Sequence, residues 1–217
     1  MYYNPTLTWA LRAILALGAA ATLYYWLILP DSFEIVFARE DGIVEYATAL
    51  FLFFACFTLI GHARRNSGRV AILLGVYALA FFFAAGEEVS WGQRIFGIES
   101  TEFFTENNYQ GETNLHNLVV GDIHLAEEVF GNALTLVLLS YLVILPLLYP
   151  YARWVRTFCE YLAVPAPPRH MAALAVLWSV FIASIPLPRN WEVYEFAFSV
   201  FALLIFLNPV NKKTFWR

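Results

Sequence analysis

Residues 43–60 read IVEYATALFLFFACFTLI, eighteen residues in which Glu45 is the single charge. A helix needs about 20 apolar residues to cross a hydrocarbon core about 30 Å thick, and this run meets that requirement. Five further segments share its character, at 7–29, 70–85, 129–148, 171–185 and 191–207. Breakers mark their ends: Pro30, Gly61 with Gly68, Pro150, the cluster of Pro165, Pro167 and Pro168, the turn containing Pro186 and Pro188, and Pro209. Tyr24, Tyr25, Trp26, Trp91, Tyr149, Tyr151, Trp154 and Trp191 fall near those ends, as an interfacial aromatic belt requires. Pro146, late in the fourth segment, is a candidate kink.

The whole chain agrees with this reading. Of 217 residues, 60% are hydrophobic and only 14% charged, which excludes a water-soluble globule. Because hydrocarbon cannot satisfy backbone polar groups, such segments must be helical, and the expected fold is an all-α polytopic bundle of about six transmembrane helices. It forms a single integral membrane domain over 1–217, with no internal repeat. The first apolar run continues to Leu29, past the length of a signal-peptide core, so it reads as a retained anchor. The net charge of −4 and the lack of a basic stripe argue against nucleic-acid binding. Two cysteines, Cys56 in an apolar run and Cys159 in a connection, do not make a disulfide framework.

Charge sets the orientation. Arg12, Arg64, Arg65, Arg69, Arg153, Arg156, Arg169, Lys212, Lys213 and Arg217 all fall on one side, which should be cytoplasmic together with both termini. The other side receives Asp31, Glu34, Glu40 and Asp41, and nine acids against Arg94 alone between the third and fourth segments.

That long connection, 86–128, is where chemistry is expected. It carries eight glutamates and two histidines, and a loop of this length is more often functional than a tether. Short interfacial or re-entrant helices are expected in it, with Phe103 and Phe104 dipping into the membrane surface. Glu87 and Glu88 directly follow an apolar run, so they need partners at the edge of the hydrocarbon. A continuing helix would place Glu87, Trp91 and Arg94 on one face and pair Glu87 with Arg94. Glu112 and His116 are four apart, and His124 precedes Glu128 by four, so Glu112, His116, His124 and Glu128 form a candidate ligand set for zinc or non-haem iron. Glu127 and Glu128 equally suit the first turns of a helix capped by Asp122. Under this topology Glu45, Glu87, Glu88, His124, Glu128, Glu192 and Glu195 all come to one depth. Glu45, Trp91, Gln93, Asn114, Asn117, Glu192 and Glu195 would line a polar cavity beneath the loop.

The stretch Gly86-Glu87-Glu88-Val89-Ser90-Trp91-Gly92-Gln93-Arg94-Ile95-Phe96-Gly97, followed by Asn108-Tyr109-Gln110-Gly111-Glu112-Thr113-Asn114-Leu115-His116-Asn117, resembles the signature of a family of uncharacterised bacterial polytopic membrane proteins. That resemblance implies the bacterial inner membrane and brings no activity. The Glu87-Glu88 pair is also similar to the first motif of the CAAX-type glutamate intramembrane proteases. In that family an arginine follows the second glutamate by four residues; here Arg94 follows Glu88 by six, and neither His116 nor His124 has Phe four residues before it.

Together these readings describe a membrane enzyme with an extracytoplasmic Glu/His site, a metal-assisted or glutamate-driven hydrolase of a lipid or lipid-linked substrate. Glu88 or Glu87 would be the general base, the Glu/His set would hold the divalent metal, and Arg94 would steady an anionic headgroup or oxyanion. The competing readings are a membrane subunit whose acidic loop docks a membrane protein partner, and an ion- or proton-coupled transporter.

Overall fold

The computed structural model describes residues 4–121, 123–125 and 133–215. Helix α1 (Pro5–Ile28) starts where the Asn4 side chain accepts a hydrogen bond from the Leu7 amide at 3.1 Å, with Pro5 preorganising the first turn. It stops just short of Pro30. A 3₁₀ turn and a π turn, Pro30–Ser32 and Phe33–Phe37, then reverse the chain, and the fully buried Phe33 plugs the space under the turn. Helix α2 (Ile43–Ala63) begins after Gly42, where Glu45 reaches back to accept from the Asp41 amide at 2.7 Å, in the manner of a capping box. Helix α3 (Gly68–Glu88) returns antiparallel and carries Glu87 and Glu88 in its last turn.

The polar connection then holds short helices α4 (Gln93–Phe96) and α5 (Glu102–Asn107), and a two-residue antiparallel pair of strands, Val119–Val120 and Ile123–His124. Asp122, Glu127 and Glu128, with the start of the fourth apolar segment, lie outside the described residues. Helix α6 (Leu134–Leu139) runs through a π turn (Ser140–Ile144) into α7 (Leu145–Leu148). Pro146 accounts for the widened turn: it has no amide to donate, and its ring crowds the carbonyl four residues back. Helices α8 (Arg153–Tyr161), α9 (Arg169–Ala183) and α10 (Asn190–Leu207) follow.

The architecture is nearly all helical, and α1, α2, α3 and α10 are long and apolar enough to cross a membrane. The apolar stretches Leu134–Leu148 and Arg169–Ala183 are shorter. Helix α10 is the spine, packed against α1, α2 and α9 while α2 also carries α3 on its other side. About 67% of the α10 span is buried against 17% of the α1 span, so α10 faces protein and α1 faces outward. The outward faces are apolar, with Leu17, Phe57, Ile72, Leu79, Leu177 and Val180 all exposed, as expected where the solvent is lipid.

The two ends of the bundle differ in chemistry. At the basic end His62 Nε2 lies 2.8 Å from the Phe206 carbonyl, Asn66 donates to the Phe215 carbonyl at 3.0 Å, and Asn208 donates to Thr8 Oγ1 at 3.2 Å. Asn211 ties the proline-rich turn to the C-terminal segment by accepting from the Ala166 amide and donating to the Val164 carbonyl. At the acidic end, the long polar connection meets the turns before α2 and α10.

The crossing of α1 over α10 depends on Gly18, where an added Cβ would stand 2.7 Å from Phe196 Cε1. Gly18→Ala is expected to lower stability by about 1–3 kcal/mol through overpacking. A second change, Phe196→Leu, should restore part of the loss, as read by thermal unfolding in detergent; no loss in the single variant would contradict this seating of α1.

Candidate functional site

The last turn of α3 sends two adjacent glutamates in different directions. Glu87, only 5% exposed, accepts from the Trp91 indole at 2.7 Å with one carboxylate oxygen. Its other oxygen accepts from the Leu115 and His116 backbone amides at 2.5 and 3.1 Å. The helix cannot continue beyond Glu88, because Ser90, Trp91 and Gly92 all take positive φ values of 45°, 55° and 77°. Two of these are non-glycine residues held in a costly conformation. The chain thereby doubles back and lays the Trp91 ring over Gly86, where a Cβ would come within 2.7 Å of it.

This stop corrects the expected pairing of Glu87 with Arg94. Arg94 instead bridges Asp41 at 2.6 Å and Glu112, clamping the long connection onto the turn before α2. Its two terminal nitrogens are engaged with carboxylates, so in this structure Arg94 fastens the connection. Glu87, another expected catalytic residue, has both oxygens bonded to the loop.

Most other motif residues build the same polar knot. Glu112, also 5% exposed, accepts from Ser90 Oγ at 2.6 Å and from the Asn114 amide at 2.9 Å, besides pairing with Arg94. Buried Asn108 donates to both Asn114 oxygens, and its own oxygen accepts from the Gln110 and Glu112 backbone amides. Gln93 donates to Ser100 Oγ at 2.7 Å and accepts from the Thr113 amide at 2.6 Å, and Asn117 donates to Gln110. The expected cavity-lining residues Gln93, Asn114 and Asn117 therefore serve to fold the connection. Trp91 leans on Phe82 and Phe83 with one edge still exposed.

Among the described residues, the three members Glu112, His116 and His124 of the expected Glu/His metal set do not form a ligand group. Glu112 is committed to the knot, His116 is partly buried with its backbone amide on Glu87, and His124 is exposed on the second strand. Glu128 lies outside the described residues. Burial pushes the His116 imidazole below its usual pKa, opposed by the charges of Glu87 and Glu112. Among the described residues, the group with metal-ligand geometry is Glu88, Glu192 and Glu195, each offering a carboxylate oxygen within 4.8 Å of the others.

The helices explain this convergence. Spacing of three puts Glu192 and Glu195 on one face of α10 near its N-terminus, where the helix dipole favours negative charge. Glu88 arrives from the C-terminal end of α3, where the dipole does not help it. Glu45 interacts electrostatically with all three from the first turn of α2. Arg189, in the left-handed conformation just before α10, supplies the cation at the rim. It donates to the Ala38 carbonyl at 2.8 Å and pairs with Glu192 at 2.6 Å and Glu40 at 3.3 Å. Burial pushes the Glu40 carboxyl above its usual pKa, with Glu112 adding to the shift and Arg189 and Arg94 opposing it. Arg189 is absent from the sequence-based site, although its place three residues before Glu192, after Pro188, was a usable signal. Three carboxylates this close repel one another and call for a bound cation or a shared proton. Comparison with protein families, with curated proteins and with solved structures returns no match to this chain.

The adjacent glutamates make a controlled test of the knot. Glu87→Ala should lower stability by about 1–3 kcal/mol, since it removes the acceptor of three part-buried donors, and should open residues 108–118 to protease, whereas Glu88→Gln should do neither. Acid should also loosen the knot. A histidine whose folded pKa lies below its unfolded value contributes stability that is present above about pH 6.5 and lost as pH falls through that value. Unfolding midpoints measured from pH 8 to pH 5 are therefore expected to fall less steeply in His116→Gln than in the unmodified protein.

Proposed function

We propose that the chain is a six-span membrane protein of the bacterial inner membrane, with both termini cytoplasmic. Its extracytoplasmic end would carry a carboxylate-centred site that hydrolyses a lipid or lipid-linked substrate. The observation supporting the reading is the meeting of Glu88, Glu192 and Glu195 at the ends of two membrane helices, beside a connection in which Glu87 and Glu112 are held by hydrogen bonds from within it. The ten basic residues assigned to the opposite end support the orientation. Exposed Phe96, Ile98 and Phe103 on the long connection favour a surface that sits at the lipid interface. The burial of Glu87, Glu112 and Asn114 within the knot disfavours the alternative of a free acidic docking arm.

The donor set is all oxygen, which suits a hard divalent cation such as magnesium, manganese or calcium rather than the zinc or iron of the Glu/His reading. A cation held by Glu88, Glu192 and Glu195 would polarise a phosphoryl or carbonyl oxygen and acidify a water. Glu45 would take the proton of that water as its oxygen bonds to phosphorus or carbon. The same proton would pass to the leaving oxygen, an alcohol from an ester or a phosphate from a pyrophosphate, as its bond to carbon or phosphorus breaks, returning Glu45 to a carboxylate. Arg189 would hold Glu192 in position.

Two measurements on detergent-purified protein test this: manganese binding, and hydrolysis of phospholipids and lipid pyrophosphates in mixed micelles. Glu88→Gln and Glu195→Gln are expected to weaken manganese binding at least tenfold and to abolish hydrolysis, while Glu99→Gln on the exposed part of the connection changes neither. Equal manganese affinity in all variants, or no hydrolysis under any cation, would overturn the corresponding half of the reading.

A further inference from the structure

The basic end contains a cleft of about 290 Å³ between α1, α9 and α10. A single water needs only about 15 Å³ by this kind of measure, so there is room for a larger guest. Its wall divides by chemistry. Arg12, His170 and Lys212 supply cationic or protonatable groups, with Thr8 and Asn208 as polar neighbours, while Met171, Leu174, Leu204, Ile205 and Val210 supply an apolar side.

Three features of this cleft point to an anionic amphiphile. First, Arg12, His170 and Lys212 line the same cleft, so two cations and a protonatable imidazole converge where an anion would be held. Among the described residues neither Arg12 nor His170 has an ion-pair partner, and Glu160 is the one acid that the charge pattern leaves on this side of the chain. Second, His170 and Met171 lie in the first turn of the fifteen-residue helix α9, just after its cap Pro168, and the helix dipole there adds to the positive field. Third, the apolar wall runs out through Leu174, which is exposed on the outward face of α9. A hydrocarbon chain can follow that path while its headgroup stays among the cations.

Neighbouring helix α8 places this end at headgroup depth. It is short and strongly amphipathic, burying Val155 and Cys159 and exposing Trp154, Phe158 and Tyr161 beside Arg153 and Arg156. Arg69 lies over the Tyr161 ring at 4.1 Å and Arg169 over the Tyr151 ring at 5.4 Å, so cations and aromatics share one level. That combination belongs to the interface between headgroups and acyl chains, and basic pockets between helices at that level suit anionic lipid headgroups.

We propose that the α1/α9/α10 cleft binds a phosphate ester, the headgroup of an anionic phospholipid, with Arg12, His170 and Lys212 around the phosphate and one acyl chain along Met171 and Leu174. This site is separate from the carboxylate cluster at the opposite end and does not depend on its activity.

The test is thermal unfolding of the full chain in a neutral detergent, titrated with phosphatidylglycerol, phosphatidylcholine or water-soluble glycerol phosphate, together with native mass spectrometry to count retained lipids. Phosphatidylglycerol is expected to raise the midpoint saturably at one molecule per chain, with phosphatidylcholine and glycerol phosphate at least tenfold weaker. Arg12→Gln combined with Lys212→Gln should weaken the phosphatidylglycerol effect at least tenfold, and Arg153→Gln on α8 should not. Should the double variant fail to fold, Leu174→Trp, which fills the apolar wall and keeps every charge, should produce the same weakening. An equal response to glycerol phosphate with the same residue dependence would reassign the cleft to a soluble phosphate ester and overturn the lipid assignment. Equal responses to the two lipids, or a phosphatidylglycerol effect untouched by these substitutions, would overturn the site altogether.

Discussion

The carboxylate of Glu87 is the fixture on which the acidic end of the molecule depends. It sits on the last turn of an apolar helix and accepts three hydrogen bonds, one from the Trp91 ring and two from backbone amides about thirty residues further on. A charged group at that depth is costly unless its lone pairs are satisfied, and here the donors come from the chain itself. The same bonds solve a second difficulty, because the Leu115 and His116 amides of the connection would otherwise lack a protein partner. Folding back over the helix end satisfies both sets of groups at once. The positive φ values at Ser90 and Trp91 are the local cost of that reversal.

From that fixture the acidic end is laced together by charge. Arg94 draws the connection to Asp41, and Arg189 draws the turn before α10 to Ala38 and Glu40. Both arginines therefore reach the short segment 38–41 between α1 and α2, which becomes the meeting point of three connections. These links hold the first turns of α2 and α10 near the last turn of α3. The carboxylates of Glu45, Glu88, Glu192 and Glu195 approach one another as a consequence.

Helical character and the apolar segments were legible in the sequence, because hydropathy over a long window reports directly on what lipid tolerates. The run beginning at Ile43 is helical as read, and the gathering of glutamates at one depth followed from the same segments. What escaped was local backbone geometry. The extended helical face through Glu87, Trp91 and Arg94 assumed continuity past Glu88, and nothing in Val89-Ser90-Trp91 except the later Gly92 signals a stop. The Glu112–His116 spacing suggested a shared helical face, but Asn108 and Asn114 capture that segment in side chain to backbone bonds that compete with helix formation. Arg189 shows only its i,i+3 relation to Glu192 in the sequence, while its bonds to Ala38 and Glu40 join residues about 150 positions apart.

Glu87 and Glu88 show how one motif can divide its labour. Successive residues on a helix point about 100° apart, so an adjacent pair cannot serve one neighbour. Glu87 turns toward the connection that folds back on α3, and Glu88 turns toward α10. The first position therefore reads as architecture, which tolerates no substitution that strands buried donors. The second faces two other carboxylates across a gap that only a cation or a proton can make comfortable. The polar segment after Glu88 folds back over the end of α3 through Glu87, and so leaves Glu88 free to approach Glu192 and Glu195 on α10.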